Sequence, residues 1–325
     1  MNQFDQAIQD YSKSIQLNPY DQNTYAGRGY SYHHKKEYEK ALSDYSKAID
    51  LQPRETRFYL DRAGIHTSMK NYDQALVDCS KAIDLEPKAA QGYMARSAIY
   101  FFKKDYDKDS ADSAKAIELD PKNPDCYIAR GRSHAWKGQP EQALADYSKT
   151  IELNPQNPAY YVDRGDTYYQ VAEYDKAYSD YSRACQLEPK NVDAHLGQSA
   201  VHWKKASLDQ AVAELNLALK LDPENSTTLA ALALFFATCQ EVKYRDGKKA
   251  LEYATKACEQ THWGEDSHFQ ALAAAYAELG RFGEAVKWQK KAIAITRFAP
   301  KGLDLAKERL QLYETKKPYR ENSNR

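Results

Sequence analysis

His195 and His202 stand seven residues apart, a spacing that puts two imidazoles on one face of a helix, where a third ligand would complete a metal site. No third ligand lies nearby in the sequence, so packing or surface roles read better. His33 and His34 are adjacent and must face different directions on a helix, as two surface histidines do. The cysteines are Cys79, Cys126, Cys185, Cys239 and Cys258: an odd number with no CxxC, hence neither a disulfide framework nor a zinc site. They read as small packing residues in a reducing compartment. Gly247-Lys248 lacks the GxxxxGK[ST] spacing of a phosphate loop. No serine or cysteine sits in a nucleophile motif. The residues therefore predict no catalytic site, no metal and no cofactor.

A second pattern of charged residues is regular. Arg28, Arg62, Arg96, Arg130 and Arg164 each precede an aspartate by sixteen residues: Asp44, Asp78, Asp112, Asp146 and Asp180. Asp10 holds the aspartate place in a partial first copy. In a sixth copy both places change together, to Gln198 and Glu214. An arginine within an apolar stripe needs a hydrogen-bonded counter-charge, so the spacing predicts a ladder of Arg–Asp pairs buried between helical hairpins. The competing reading has the arginines reaching to solvent and pairing with nothing. Such pairs would set register rather than function.

The elements that carry these residues are punctuated by prolines. Pro19, Pro53, Pro87, Pro121, Pro155, Pro189 and Pro223 are each 34 residues apart. Two residues before each is a leucine, from Leu17 to Leu221, and twelve before is an alanine in six copies of seven; Asp109 is the exception. A period of 34 with this punctuation signals a solenoid with two helices per copy. In the second helix Ala41, Tyr45, Ala48 and Ile49 mark one apolar face, and the proline ends it. In the first, Tyr25, Gly29 and Tyr32 form a stripe; Asn123-Pro124 and Asn157-Pro158 supply an N-cap and a proline at the first helical position. Gly29, Ala63, Ser97, Gly131, Gly165 and Ser199 recur where the paired helices must approach. Asp109 puts a charge at such a contact, which reads as a locally strained copy or, less simply, a functional opening.

With an aromatic at position 4, a small residue at 8, an aromatic at 11, alanines at 20 and 27 and proline at 32, the pattern resembles the tetratricopeptide repeat (TPR) family. It departs from that family at position 7, where arginine replaces the usual leucine. The resemblance implies an all-α, right-handed superhelical solenoid of antiparallel helix pairs. Residues 1–21 would be a partial copy holding the second helix only. Six copies would fill 22–225, a longer copy with an insertion 226–264, a final copy 265–298, a capping helix 299–316 and a disordered tail 317–325. The C-terminal series ending in RLQLYETKKPYRE resembles the same end of bacterial members of the family. The half copy at the start reads as a fragment boundary, a frayed end or a surface that another protein covers.

The resemblance also implies a concave groove lined by positions 2, 5, 9, 12 and 13 of the first helices. Here these supply Tyr30, Leu60, Met94, Phe101, Phe102 and Ile128 in the early copies. Arg132, Trp136, Val162, Asp166, Tyr169, Leu196 and Trp203 follow. Some of these aromatics are expected to pack on neighbouring helices instead. The lysine and asparagine with which one branch of the family clamps a peptide carboxylate are absent, so no acidic C-terminal tail is expected as ligand. The implied function is a non-enzymatic scaffold for a protein or peptide partner with apolar or aromatic anchors and some basic character. The alternative is a regulatory or targeting segment of a larger enzyme or secretion machine, with the catalytic part upstream of Met1.

Composition sets outer limits. Forty-six basic and 46 acidic side chains leave no excess charge for a nucleic acid. No run of 18 apolar residues predicts membrane insertion. The polar, periodic start MNQFDQAIQDYSK lacks a signal-peptide core, so a cytoplasmic location is expected.

Overall fold

The computed structural model describes residues 3–263, 266–295 and 300–321. Among these residues the regular structure is entirely helical. The expected boundaries at 264/265 and 298/299, and tail residues 322–325, lie outside them. The chain divides into two compact units, residues 1–155 and 156–325.

The first unit holds α1 (Gln3–Leu17) and four hairpins. These are α2 (Gln22–His34) with α3 (Tyr38–Leu51), α4 (Thr56–Ser68) with α5 (Tyr72–Leu85), α6 (Ala90–Phe102) with α7 (Tyr106–Leu119), and α8 (Pro124–Trp136) with α9 (Pro140–Leu153). In the second unit α10 (Pro158–Gln170) pairs with α11 (Tyr174–Leu187), and α12 (Val192–Lys204) with α13 (Leu208–Leu221). Next come α14 (Ser226–Thr238) with α15 (Gly247–Gln260), α16 (Asp266–Glu278) with α17 (Phe282–Ile295), and α18 (Pro300–Glu314). Within each unit every hairpin packs on the next, and first helices of successive hairpins also touch one another. The first helices therefore make one wall of each unit.

Local chemistry explains the boundaries. Asp21, Asn123, Asn157, Asn191 and Asn225 cap first helices, their side-chain oxygens accepting from amides two or three residues on. The six first helices from α2 to α12 each end in a tight reversal. Lys36, Lys70, Lys104, Gly138, Ala172 and Ala206, spaced by the repeat period, all adopt positive φ, between 56° and 70°. Only one of the six is the glycine that this conformation favours. Lys104→Gly should thus raise stability by about 0.5–1 kcal/mol and Gly138→Lys lower it by about as much, read as urea midpoints.

The small residues work as the repeat predicts. Ala41, Ala75, Ala143, Ala177 and Ala211 are fully buried. A methyl group on Gly165 would come within 2.8 Å of the Tyr181 ring, so the close approach of α10 and α11 requires its absence. In the second unit α14 lies directly against α16 through Ala230, Ala233 and Ala237 on one side and Ala271, Ala274 and Ala275 on the other. The insertion before α15 forms a short 3-10 turn, Val242–Tyr244, whose Tyr244 ring packs edge-on to Phe235. Asp246 then accepts from Lys248 and Lys249 amides, so the start of α15 already carries its own anion.

The end of the chain corrects an expectation. Residues 317–325 were expected to be disordered; of these, 317–321 are placed, and they pack. Tyr319 is 6% exposed, lying among Ala273, Ala277, Ala285 and Tyr313. A polar composition concealed one aromatic with a socket.

Candidate functional site

The arginine stripe meets the aspartates within each hairpin. Arg28 Nε and Nη2 donate to Asp44 Oδ2 and Oδ1 at 2.8 and 2.7 Å. The same two-pronged contact joins Arg62 to Asp78, Arg96 to Asp112, Arg130 to Asp146 and Arg164 to Asp180, at 2.7–2.9 Å. The five aspartates are buried. Hydrogen bonding to its aspartate raises the pKa of every one of these arginines. The third nitrogen reaches back one copy: Arg28 Nη1 donates to Ser12 Oγ at 3.1 Å and Arg62 Nη1 to Ser46 Oγ at 3.0 Å. Each pair thus lies inside a hairpin and not between hairpins as the spacing suggested, because sixteen residues join the facing sides of one helix pair; the serine links of Arg28 and Arg62 join copies, while the equivalent place for Arg130 is Ala114. Asp10 does not belong to the ladder. It lies exposed on α1, because the half copy in this chain has no first helix to supply an arginine.

A second inter-copy link was not foreseen. Tyr59, Tyr93 and Tyr127 hydroxyls donate to the carbonyls of Pro53, Pro87 and Pro121 at 3.0, 3.3 and 3.2 Å. The proline ruler and the position-4 tyrosines are one device, visible in the sequence as two recurrences a fixed interval apart.

The candidate groove residues fall into three groups. Ile128 is buried at 7% exposure and so offers a partner little surface. Leu60, Met94, Val162 and Leu196 are partly buried against the cores of their hairpins. Tyr30, Phe102 and Trp136 are more than half exposed. Phe102 stacks on Tyr72 and Trp136 on Tyr106, each ring resting on the start of the preceding copy's second helix and leaving its other face to solvent. Phe101 meets Tyr106 edge-on, and Arg132 is exposed.

Each unit has one concavity of note. In the first, about 570 Å³ lies between α1, α2 and α4, bounded by Phe4, Tyr11, Tyr30, Arg57 and Asp61. Burial raises the Asp61 pKa, against the Tyr45 hydroxyl bonded to it. In the second, a mostly apolar cavity of about 260 Å³ is lined by Tyr169, Leu196, Ala200, Trp203, Leu215 and Leu234, with Lys204 and Glu321 as its charged lining residues. The sequence reading found Tyr169, Leu196 and Trp203 but missed Ala200, Lys204, Leu234 and Glu321. Asp166, also in this unit, is open to solvent yet hemmed in by protein, which pushes its carboxyl up to about 6; the Tyr181 hydroxyl, donating to it at 2.7 Å, pulls the other way.

The sixth copy shows what its double change does. Gln198 donates to Ser182 Oγ at 3.0 Å, keeping the inter-copy link, while Glu214 turns to His195 Nδ1 at 2.7 Å. His195 Nε2 faces the Pro189 carbonyl at 3.2 Å, the place taken by tyrosine hydroxyls in other copies. Cys185 Sγ lies 3.9 Å from the same imidazole, a pairing that could suggest a nucleophile. Both ring nitrogens already face oxygens, and burial pushes the thiol up to about 11, so the arrangement does not generate a thiolate. His202 is placed edge-on to Tyr178. Among the described residues no three histidine, cysteine or acidic side chains cluster as metal ligands, and no helix is long and apolar enough to cross a membrane.

Family comparisons agree with this architecture. Tetratricopeptide repeat models match residues 23–55, 56–88, 90–123, 131–171, 162–226 and 267–297. No curated protein matches the chain by sequence. Among solved structures, the APC/C hetero-tetramer Cut9–Hcn1 aligns with a TM-score of 0.62 at 16% identity, over 92% of this chain and 57% of that one. A tetratricopeptide repeat protein from Parabacteroides merdae gives 0.60 at 16% identity, over 80% and 98%. Pseudomonas aeruginosa pilF gives 0.53 at 20% identity, over 68% and 95%. At these identities the likeness is one of fold. With repeat models matching most of its length and an all-α helical-repeat superhelix as its fold, the chain belongs to the tetratricopeptide repeat family.

Proposed function

We propose that the chain is a non-enzymatic scaffold whose second unit holds a protein partner by an apolar side chain seated in the cavity at Trp203. The open, mostly apolar cavity carries this reading: Leu196, Trp203 and Leu234 line it, and Lys204 and Glu321 are its charged lining residues. A pocket of that kind suits a single anchor residue of a partner, and desolvated anchors dominate binding energy. The exposed carboxylate of Asp166 in the same unit favours some basic character in the partner. The exposed rings of Phe102 and Trp136 in the first unit offer flat apolar surface without a pocket, which gives area but no anchor.

The test separates these sites. Ala200→Glu places a carboxylate in the cavity without removing any packing, and Trp203→Ala enlarges it. Both should reduce capture of partner proteins from lysate, measured by quantitative mass spectrometry, at least about tenfold, the equivalent of about 1.4 kcal/mol. Trp136→Ala should change capture little. Circular dichroism must show unchanged helicity in all three. Capture that ignores Ala200→Glu and Trp203→Ala while falling with Trp136→Ala would move the site to the first unit.

A further inference from the structure

After α18 the chain doubles back. Lys316 takes a left-handed conformation, φ 56°, and the Lys317 amide donates to the Leu312 carbonyl at 2.8 Å. The residues that follow have no regular secondary structure and run across the C-terminal ends of first helices. Tyr319 fills its apolar socket, with the Arg309 guanidinium 4.6 Å above the ring. Arg320 Nη2 meets Glu278 at the end of α16 at 2.6 Å, and its Nη1 donates to the Ala237 carbonyl near the end of α14 at 3.1 Å. The Glu321 amide donates to the Thr238 carbonyl at 2.9 Å. Its carboxylate lies between Lys204, the last residue of α12, at 3.0 Å, and Arg309 at 3.4 Å. The apolar cavity opens beside it.

Each of these contacts is of a kind by which a groove reads an extended peptide: a socket for one ring, a cation at helix C-terminal carbonyls, a main-chain donor to the wall, and an anion between two cations. Without the segment Glu278, Lys204 and Arg309 would each lose an oppositely charged neighbour. Arg320 keeps about a third of its side chain in solvent, at 30%, and the backbone of 318–321 gives the wall one hydrogen bond, so Tyr319 alone enters the core and the two charged residues after it are held by surface contacts.

We propose that the ends of α12, α14 and α16, together with the aromatic socket that α16, α17 and α18 build, form a receptor for an extended protein segment in which an aromatic, a basic and an acidic residue follow one another. Tyr319-Arg320-Glu321 occupies this receptor in cis, and a partner bearing the same pattern displaces it and continues into the cavity at Trp203. The inference rests on the groove reading above and adds a chemical pattern and a resident competitor. A tethered competitor acts at an effective concentration in the millimolar range, so the free segment meets a mostly occupied site.

A fluorescent peptide KPYRE, residues 317–321 with an amidated end, provides the probe. The full-length Arg320→Ala/Glu321→Ala variant should bind it at least about tenfold more tightly than the unaltered chain, because the cis occupant has lost both charged contacts. Adding Lys204→Ala to that variant should abolish binding. Glu321→Gln, which keeps the shape and loses only the anion, should shift affinity in the same direction by a smaller step and guards against a misfolded double variant. Equal affinity for the unaltered and variant chains, or no binding to a variant of normal helicity, overturns the proposal. So does light scattering that shows a dimer dissolved by Arg320→Ala/Glu321→Ala, since the segment would then be exchanged between copies. Peptide binding that fails while capture still depends on Trp203 removes the receptor and leaves the groove reading; the opposite pair of results does the reverse.

Discussion

Arg164→Ala is expected to weaken the protein by about 3 kcal/mol, the low end for removing one partner of a buried ion pair. Asp180 is 5% exposed and has Arg164 Nε and Nη2 on its two oxygens at 2.8 and 2.7 Å. Removing the guanidinium leaves a buried carboxylate without its counter-charge, and that desolvation, more than the lost attraction, sets the size of the effect. Arg164 keeps 20% of its side chain in solvent, which admits water to the vacated site and argues for the low end. The double variant Arg164→Leu/Asp180→Leu should recover most of the loss, because neither charge then needs a partner. The leucine at position 7 in other members of the family makes that replacement sterically reasonable. Urea denaturation of the two variants and the unaltered chain measures both effects. A solvent-exposed, unpaired arginine would give a change within about 0.5 kcal/mol.

Asp109→Ala should move stability the other way. Asp109 stands in the alanine slot, 1% exposed, with Ser97, Ser113 and Ser133 hydroxyls donating to its carboxylate. This closed cluster excludes the functional opening that the sequence left in play. Burial raises the Asp109 pKa above its ordinary 3.8, and the three serines only partly offset it. The raised folded-state value fixes the sign. Below the unfolded value the group is protonated in both states and folding bears no charge penalty. As pH rises through the folded value the carboxylate must ionise while buried, and stability is lost. Alanine removes that penalty, while the serine hydroxyls can turn to carbonyls of the preceding helical turn. A gain of about 1–3 kcal/mol is expected at neutral pH. It should shrink as pH falls through the folded value and vanish below the ordinary 3.8, where the unaltered protein is protonated in both states. Urea midpoints for the two proteins between about pH 3.5 and about pH 7.5 give the comparison. A gain that is constant with pH would assign the effect to packing alone.

How much of this was legible depends on whether a residue recurs. The arginine and aspartate recur at one interval, so their partnership could be read before any coordinates, and the joint change to Gln198 and Glu214 marked the copy in which it fails. The tyrosines and the prolines also recur, but as two series whose connection needs the loop geometry. The burial of Ile128 was not legible, because position alone does not say how much of a side chain its neighbours cover. Trp136 and Trp203 looked alike in the sequence; one rests on Tyr106 with a face in water and the other walls a cavity with Leu196 and Leu234. Tyr319 could not be found at all, since it occurs once and its socket is assembled from α16, α17 and α18.

The sequence by itself determined the helix pairs, their period, the small residues at their crossings and the placement of each arginine opposite its aspartate. These depend on intervals within about 34 residues, and local backbone preference and helical periodicity act at that range. Only the tertiary structure decided which apolar residues remain open, which carboxylates are shielded from water, and where residues 317–321 come to rest. Those outcomes depend on atoms brought together from distant copies, as when Glu321 meets Lys204 across 117 positions of sequence. No short-range pattern records that contact, because the free energy that selects it arises from burial and charge pairing after the helices have stacked.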